Sequence, residues 1–203
     1  MEQKFDAQKN LDRLIGGLNG KRPSLLLHCC CGPCASYCID YLAPYFDITA
    51  YFFNPNIMPK EEYKLRLETF DKLLTHYPTV KRIVADGGQE EFLSCVKGLE
   101  NLPENSERCK KCLYMRLYQT ATVSGGYDYF ATTLTVSPHK DADFINVAGR
   151  QIENELKKQN IECAEFLPTD FKKKDGFKKS VELSVRYGLY RQSYCGCRFQ
   201  GFV

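Results

Sequence analysis

The chain has 203 residues, of which 43% are hydrophobic and 26% are charged, and its net charge is +3. This composition excludes a disordered chain and fits one globular domain, predicted to span residues 1–203. No apolar run approaches the roughly 18 residues of a membrane helix, and the N-terminal segment lacks the apolar stretch of a signal peptide. We therefore expect no membrane partner.

The eleven cysteines are clustered along the chain. An odd, clustered set differs from the even, dispersed set of a secreted disulfide framework. We predict a cytoplasmic protein whose reduced thiols are available for metal binding or redox chemistry.

Helix and strand patterns alternate from the N-terminus onward. Apolar residues at helical spacing over 11–18 predict a first helix that ends at 16–17 or at Gly20. Apolar segments bounded by turn residues predict strands at 24–28, 47–53, 80–86, 128–136 and 162–171. Helical patterns predict further helices at 36–42, 59–77, 92–99, 108–121, 145–156 and 177–185.

This order is a repeated βα pattern. Parallel strands joined by helical crossovers connect right-handedly. We therefore predict an α/β fold with a doubly wound, mainly parallel five-stranded sheet. Sites in such folds form at the carboxyl ends of the strands.

The first predicted strand ends in three consecutive cysteines. The stretch reads LLLHCCCGPCASYC, residues 25–38, and its Gly-Pro pair turns the strand into a helix. The side chains of residues 29–34 are therefore expected at the functional edge of the sheet.

Two further motifs carry paired cysteines. Cys109 and Cys112 stand near the start of a predicted helix, where the positive end of the helix dipole favours the thiolate form. Cys195 and Cys197 flank Gly196, whose missing side chain lets the two sulfurs approach. A disulfide across one residue would be strained and easily reduced. This spacing predicts a redox or ligand role.

The type of metal centre stays open at this point. Four thiolates in a CC plus CxxC arrangement suit a structural zinc ion or an iron-sulfur cluster. Adjacent residues have Cα atoms about 3.8 Å apart, and their thiolates fit two iron corners of a cluster at least as easily as one zinc ion. Cys38, Cys95 and Cys163 lie on apolar faces and are predicted to be small buried side chains.

Four motifs together resemble the QueH type of epoxyqueuosine reductase. In chain order they are LLLHCCCGPCA, RCKKCLYMRL, ATTLTVSPHKD and YRQSYCGC, and the resemblance runs from about Pro23 to the C-terminus. It implies a fold similar to the adenine-nucleotide α-hydrolase group. It also implies an oxidoreductase that converts epoxyqueuosine to queuosine at the wobble position of transfer RNA, removing the epoxide oxygen as water without cobalamin.

The resemblance also implies roles for the cysteines. The adjacent pair and the CxxC pair would hold a 4Fe-4S cluster, with the ligands Cys30, Cys31, Cys109 and Cys112. The CxC pair would be a redox-active disulfide, with Cys195 and Cys197 as catalytic residues. Cys34 is a candidate ligand of an additional mononuclear iron beside the cluster. Cys29 is an extra thiol that leaves the register of the adjacent pair open.

Removing an epoxide oxygen needs two electrons and an acid on the departing oxygen. The electron donor is unidentified, and His139 and Asp175 are the candidate acids. Polar residues predicted near the strand ends are candidates for lining a nucleoside pocket, namely Asn54, Tyr63, Arg66, Thr132, Thr133 and Ser137.

The basic charge is concentrated in the C-terminal portion. Residues 150–203 hold 11 Lys and Arg against 7 Asp and Glu. Lysines at 172–174 and 178–179, followed by tyrosines at 187, 190 and 194, make this portion a candidate surface for the anticodon stem-loop of the transfer RNA.

Two other functions are compatible with parts of the sequence. An ATP-dependent iron-sulfur transfer-RNA thiolation enzyme would have a related fold, but its SGGxDS loop is absent after the first strand. A non-catalytic, zinc-stabilised RNA-binding module would also use the cysteines, but it would tolerate the loss of Cys195 and Cys197.

Overall fold

A computed structural model of the protein describes residues 5–197, and these form a five-stranded parallel sheet. The strands lie in the order β3-β2-β1-β4-β5, so the first strand is central. They are β1 (Ser24–His28), β2 (Asp47–Phe52), β3 (Lys81–Val84), β4 (Tyr129–Thr132) and β5 (Glu165–Phe166).

Helices cover both faces of this sheet. Within the described residues they are α1 (Ala7–Gly16), α2 (Gly32–Leu42), α3 (Lys60–Leu74), α4 (Gln89–Cys95), α5 (Glu107–Thr122), α6 (Ala142–Lys158) and α7 (Gly176–Arg186). Helix α2 packs on α3 and α7, whereas α5 packs on α6. The predicted doubly wound α/β fold is confirmed. The likeness to the α-hydrolase group stays a prediction.

The central strand shows why the sheet has two cores. Leu25 and Leu27 pack in one apolar cluster, and Leu26 packs in the other. Successive side chains of a strand point to opposite faces, and β1 has a parallel neighbour on each side, so its side chains are covered on both faces. The continuous apolar run at 25–27 follows from this position.

The strands predicted at 128–136 and 162–171 are wrong in length, because β4 and β5 are much shorter in the structure. After β4, residues 133–136 form a 3₁₀ helix, because the hydroxyl of Thr132 accepts the backbone N–H of Leu134 at 3.1 Å and caps the turn. Beyond β5, the backbone of Thr169 has a side-chain partner, since Asn146 accepts its N–H at 3.1 Å and donates to its carbonyl at 3.0 Å.

Helix α2 begins at Gly32, earlier than the predicted start at residue 36. Cys31 is its N-cap, and the Cys31 sulfur accepts the backbone N–H of Cys34 at 3.4 Å. Pro33 suits the first turn, where a proline loses no helical hydrogen bond. The third and fourth cysteines of the motif, Cys31 and Cys34, thus form the N-terminal cap of the helix.

His28 closes the carboxyl end of β1. Its Nδ1 lies 2.8 Å from the Thr132 hydroxyl oxygen, and its Nε2 lies 3.1 Å from the carbonyl oxygen of Phe53. Burial, with a smaller effect from Arg116, lowers the pKa of His28 to about 3. The neutral imidazole therefore holds the ends of three neighbouring chain segments together.

None of the helices in the part of the chain from residue 5 to residue 197 is both long enough and apolar enough to cross a lipid bilayer.

Replacing Gly149 by alanine should destabilise the fold. A β-carbon at this position in α6 would clash with the ring of Phe166 on β5. Such overpacking costs about 1–3 kcal/mol in free energy of unfolding, measurable by urea denaturation of the metal-free protein. Gly16→Ala is the matched control, because a β-carbon there meets no atom within 4 Å. We expect it to be neutral or stabilising by up to about 1 kcal/mol. Equal stability of the two variants would contradict the packing of α6 on β5.

Candidate active site

Three thiols converge at the start of α2. The sulfurs of Cys30, Cys31 and Cys34 all lie within 4.8 Å of one another. The Sγ atoms of Cys30 and Cys31 are 3.9 Å apart, close to the separation of about 3.8 Å that tetrahedral bonds of about 2.3 Å to one metal ion would give. The group has the donors and the spacing to hold a metal.

The three thiols of this group differ in acidity, and Cys30 loses its proton most readily. Hydrogen bonds from the Cys31 and Cys34 thiols lower the pKa of Cys30 well below its usual value, against the effect of burial. The same hydrogen bonds raise the pKa of Cys31 and of Cys34. The Thr133 hydroxyl also contacts the Cys30 sulfur at 3.5 Å. Cys30 is therefore the most acidic thiol of the three.

Cys29 lies apart from the group. It is fully buried in one of the two apolar cores, where its thiol donates to the carbonyl of Leu27 at 3.3 Å. Burial raises its pKa well above the usual value. Of the two adjacent pairs, Cys30 and Cys31 both belong to the group of three neighbouring sulfurs, whereas Cys29 does not.

The CxxC pair lies in the first two turns of α5, as expected. Cys109 and Cys112 are buried, and they line a small cavity together with Cys195 and Cys197. Burial raises the pKa of Cys112 to about 11. Thus the structure brings the CxxC and CxC motifs together, whereas Cys34 is the third member of the tight group at Cys30 and Cys31.

Arg116 lines both the cavity of the Cys30 group and the cavity of the CxxC and CxC motifs. It lies on α5 one turn after Cys112, is 2% exposed, and lines both the small cavity and a larger one that contains Cys30. Its guanidinium donates to the side-chain carbonyl of Asn54. The positive charge lowers the pKa of Cys30 and of Cys195. The sequence analysis missed this arginine, although its spacing of seven from Cys109 and four from Cys112 places it on the same helix face.

The CxC segment is held by its backbone. The Arg66 guanidinium donates to the carbonyl of Cys195 at 2.9 Å, and the N–H of Met58 donates to the carbonyl of Gly196 at 3.0 Å. Gly196 has φ +121°, and a β-carbon there would lie 3.1 Å from both Arg66 and Ile57. Glycine is therefore required at this position for its backbone conformation and for space.

Cys195 and Cys197 are free thiols in this structure, so the disulfide implied by the resemblance is absent from it. A hydrogen bond from Cys197 lowers the pKa of Cys195 to about 5, against the effect of burial and with the help of Lys140 and Arg116. The same hydrogen bond raises the pKa of Cys197. The pair therefore combines a thiolate with a thiol.

Lys140 is a second cation that the sequence analysis missed. It is 9% exposed, and its Nζ lies 2.7 Å from a carboxylate oxygen of Glu104. Burial lowers its pKa, but the negative charges of Cys195 and Glu104 outweigh this effect and raise it above the usual value. Lys140 therefore stays protonated beside the Cys195 thiolate.

The larger cavity, of about 260 Å³, opens at the carboxyl edge of the sheet. Of the residues predicted to line a nucleoside pocket, Asn54, Arg66 and Ser137 line this cavity. The candidate acid His139 and the thiols Cys30, Cys34 and Cys195 line it as well. The three other pocket candidates have structural contacts instead: Tyr63 donates to Asp86, Thr132 contacts His28, and Thr133 contacts Cys30. Asp175, the other candidate acid, is exposed at the N-cap of α7.

The lysines at 172–174 are paired with carboxylates. Lys173 lies 2.9 Å from Asp6, Lys174 lies 2.6 Å from Asp12, and Lys172 lies 3.5 Å from Asp170. These carboxylates neutralise much of the charge that a phosphate backbone would meet.

Comparison with known proteins gives one consistent result. A family model described as epoxyqueuosine reductase QueH matches residues 25–201. Proteins of that name are similar to the chain: one from Streptococcus pyogenes is 42% identical over 87% of this chain and 69% of its own length. One from Staphylococcus epidermidis is 39% identical over 97% and 85%, and one from Thermotoga maritima is 34% identical over 87% and 89%.

Alkylation of Cys195 should follow its low pKa. In reduced, metal-free protein we expect its reaction rate with iodoacetamide to be near its plateau by about pH 7 and to fall as the pH drops through about 5, because only the thiolate reacts. Peptide mass spectrometry gives the rate for each cysteine. Lys140→Met should shift the midpoint upward. Cys163, whose pKa is raised by burial, is the internal control and should react slowly throughout this range. A Cys195 rate that still climbs above pH 8 would contradict the thiolate assignment.

Proposed function

Because the chain belongs to the epoxyqueuosine reductase QueH family, we propose that it reduces epoxyqueuosine to queuosine at the wobble position of transfer RNA. The observation that carries the proposal is one cavity, lined by Cys30 and Cys34 at the strand end and by Cys195 of the CxC motif. A metal-binding thiol group and a redox-capable thiol pair thus face the same substrate space.

The thiol pair has the electrons that the reaction needs. Two carbon–oxygen bonds of the epoxide break, a carbon–carbon double bond forms, and the oxygen leaves as water after taking two protons. Oxidation of the Cys195 thiolate and the Cys197 thiol to a disulfide releases two electrons and one proton, and a proton donor at the cavity supplies the second proton, so the step balances. A separate electron donor, whose identity is open, then restores the dithiol. Strained bridges across one residue are readily reduced, which suits such a cycle.

We assign Cys30, Cys31, Cys109 and Cys112 as ligands of a 4Fe-4S cluster, with Cys34 as a ligand of a further mononuclear iron. The fit rests on donor chemistry: all five are free thiols. Cys30, Cys31 and Cys34 lie at or just before the start of α2, and Cys109 and Cys112 lie in the first two turns of α5. When bound, the cluster would supply electrons one at a time. Arg116 and the two helix N-termini offset the negative charge that the thiolates concentrate there.

The departing oxygen needs a proton donor at the cavity. Of the two acids considered from the sequence, only His139 lines the cavity, and it is exposed at the rim. Lys140, next to it in the chain, keeps its positive charge near the Cys195 sulfur. We assign His139 to proton transfer and Lys140 to stabilisation of the thiolate.

The entrance to the cavity suits a nucleotide turned out of an RNA loop. Phe177 is 38% exposed at the start of α7, and the guanidinium of Arg191 lies 5.8 Å from the centre of its ring. An exposed aromatic ring stacks on an unpaired base, and an arginine binds its phosphate. We therefore assign the anticodon stem-loop to this entrance rather than to residues 172–174, and we place the protein in the cytoplasm with its substrate.

The zinc-stabilised RNA-binding module remains the alternative that one observation favours. The 3.9 Å separation of the Cys30 and Cys31 sulfurs also suits a single zinc ion. That function gives no role to a thiolate at Cys195, and this difference separates the two proposals experimentally.

The direct test is turnover of transfer RNA that carries epoxyqueuosine, with anaerobically reconstituted enzyme and a chemical reductant. Digestion and mass spectrometry of the nucleosides should show the loss of one oxygen atom. Cys195→Ser and Cys197→Ser should each lower the rate on the order of a thousandfold or more, because neither can form the disulfide.

Cys163→Ser is the matched control, since Cys163 lies outside both cavities, and its activity should equal that of the wild type. An inactive wild type would overturn the proposed reaction. Full activity of both CxC variants would overturn the assigned role of the pair.

A further inference from the structure

An open groove of about 310 Å³ adjoins the larger cavity. It is lined by the N-terminal turns of two packed helices, with Lys110 and Leu113 from α5 and Phe144 from α6. His139 and Lys140 line both this groove and the larger cavity, so the two spaces meet at these residues. We call it the outer groove. The proposed reaction gives it no role.

The outer groove presents a ring and a positive charge to solvent. Phe144 is half-buried, Lys110 is exposed, and the Nζ atom of Lys110 lies 5.8 Å from the centre of the Phe144 ring, within the range of a cation–π contact. Asp141 also lines the groove, but its carboxylate accepts the backbone N–H of Phe144 at 3.0 Å and caps α6. Among the described residues Lys110 forms no ion pair, unlike the lysines at 172–174. Its charge is therefore available to a ligand.

The same combination of groups stands at the entrance of the larger cavity, where Phe177 lies 5.8 Å from the guanidinium of Arg191. The larger cavity thus adjoins two pairs of an aromatic ring and a cation. Proteins bind single-stranded RNA with this combination, in which the ring stacks on a base and the cation contacts a phosphate. The two nucleotides that flank the wobble position are each joined to it by one phosphate. When the wobble nucleotide occupies the larger cavity, a flanking base must lie close to the wall of that cavity.

We propose that the outer groove binds a nucleotide that flanks the wobble position, with its base stacked on Phe144 and its phosphate on Lys110. The inference rests on the proposed function, because it takes the substrate to be an anticodon loop. It adds a second nucleotide site on the other side of His139 and Lys140. Binding of the flanking nucleotide there would hold the wobble nucleotide in its turned-out position.

The test uses three anticodon stem-loop RNAs with guanosine at the wobble position. One is intact, one is abasic at the preceding nucleotide, and one is abasic at the following nucleotide. Fluorescence anisotropy at fixed salt should show that the wild type binds one of the two abasic RNAs about tenfold more weakly than the intact RNA, the effect expected for one stacked base. In Phe144→Leu this penalty should vanish, because the ring is already absent. Phe144→Tyr keeps a ring and should retain the penalty.

Two further variants separate the outer groove from the rest of the surface. Phe5→Leu is the matched control, because Phe5 is also an exposed ring with a cation, Arg150, 4.2 Å from its centre, but it lines neither the groove nor the larger cavity. This variant should bind all three RNAs like the wild type. Lys110→Met should lower the slope of log affinity against log salt by about one and keep the abasic penalty. Thermal melting checks the fold, and exposed Lys110 still tests the groove if Phe144→Leu does not fold.

Equal affinity of the wild type for all three RNAs, or a penalty that persists in folded Phe144→Leu, would overturn the assignment. So would an unchanged salt slope in Lys110→Met. Slower turnover of Phe144→Leu with unchanged RNA binding would instead assign the groove to the electron donor and overturn the proposal. The binding measurements need no catalysis. A penalty that depends on Phe144, in a wild type that leaves epoxyqueuosine unchanged, would therefore support the groove while overturning the proposed reaction.

Discussion

The buried guanidinium of Arg116 is the contact on which both cysteine regions depend. It is fixed by Asn54, whose amide in turn donates to the backbone carbonyl of Cys29 at 2.9 Å. Through this chain of contacts α5 is joined to the end of β1. One cation thereby faces Cys30 on one side and Cys195 on the other, and it lowers the pKa of both thiols. Without it, two thiolates would share a buried space with less compensating charge.

The CxC motif depends in the same way on Arg66. This side chain is 2% exposed and pairs with Glu62 at 2.6 Å while it donates to two carbonyls of the C-terminal segment. The reactive pair therefore lies over α3 at a fixed place, although its own segment has no regular secondary structure. A redox pair held by its backbone keeps both sulfurs available for chemistry.

Much of the fold could be predicted because it depends on local pattern. The strand at 24–28 and the start of α3 after Pro59 follow from periodicity and turn residues. The short β5 could not, because Asn146, distant in sequence, binds the backbone of Thr169 beyond it. The 3₁₀ helix after β4 could not either, because the Thr132 hydroxyl caps a turn within a segment whose composition is typical of a strand. The cysteines of the site were visible as motifs. Arg116 and Lys140 were not, since an isolated cation reveals its role only once the chain brings thiols to it.

Iron and acid-labile sulfide, measured with the visible spectrum on protein reconstituted without oxygen, test this account most directly. We expect about four irons and four sulfides per chain for the cluster, with a further iron if Cys34 binds one, and loss of the cluster in Cys109→Ala/Cys112→Ala. Cys163→Ala should keep it. Stoichiometric zinc without sulfide, or an intact cluster in the Cys109→Ala/Cys112→Ala variant, would contradict the account.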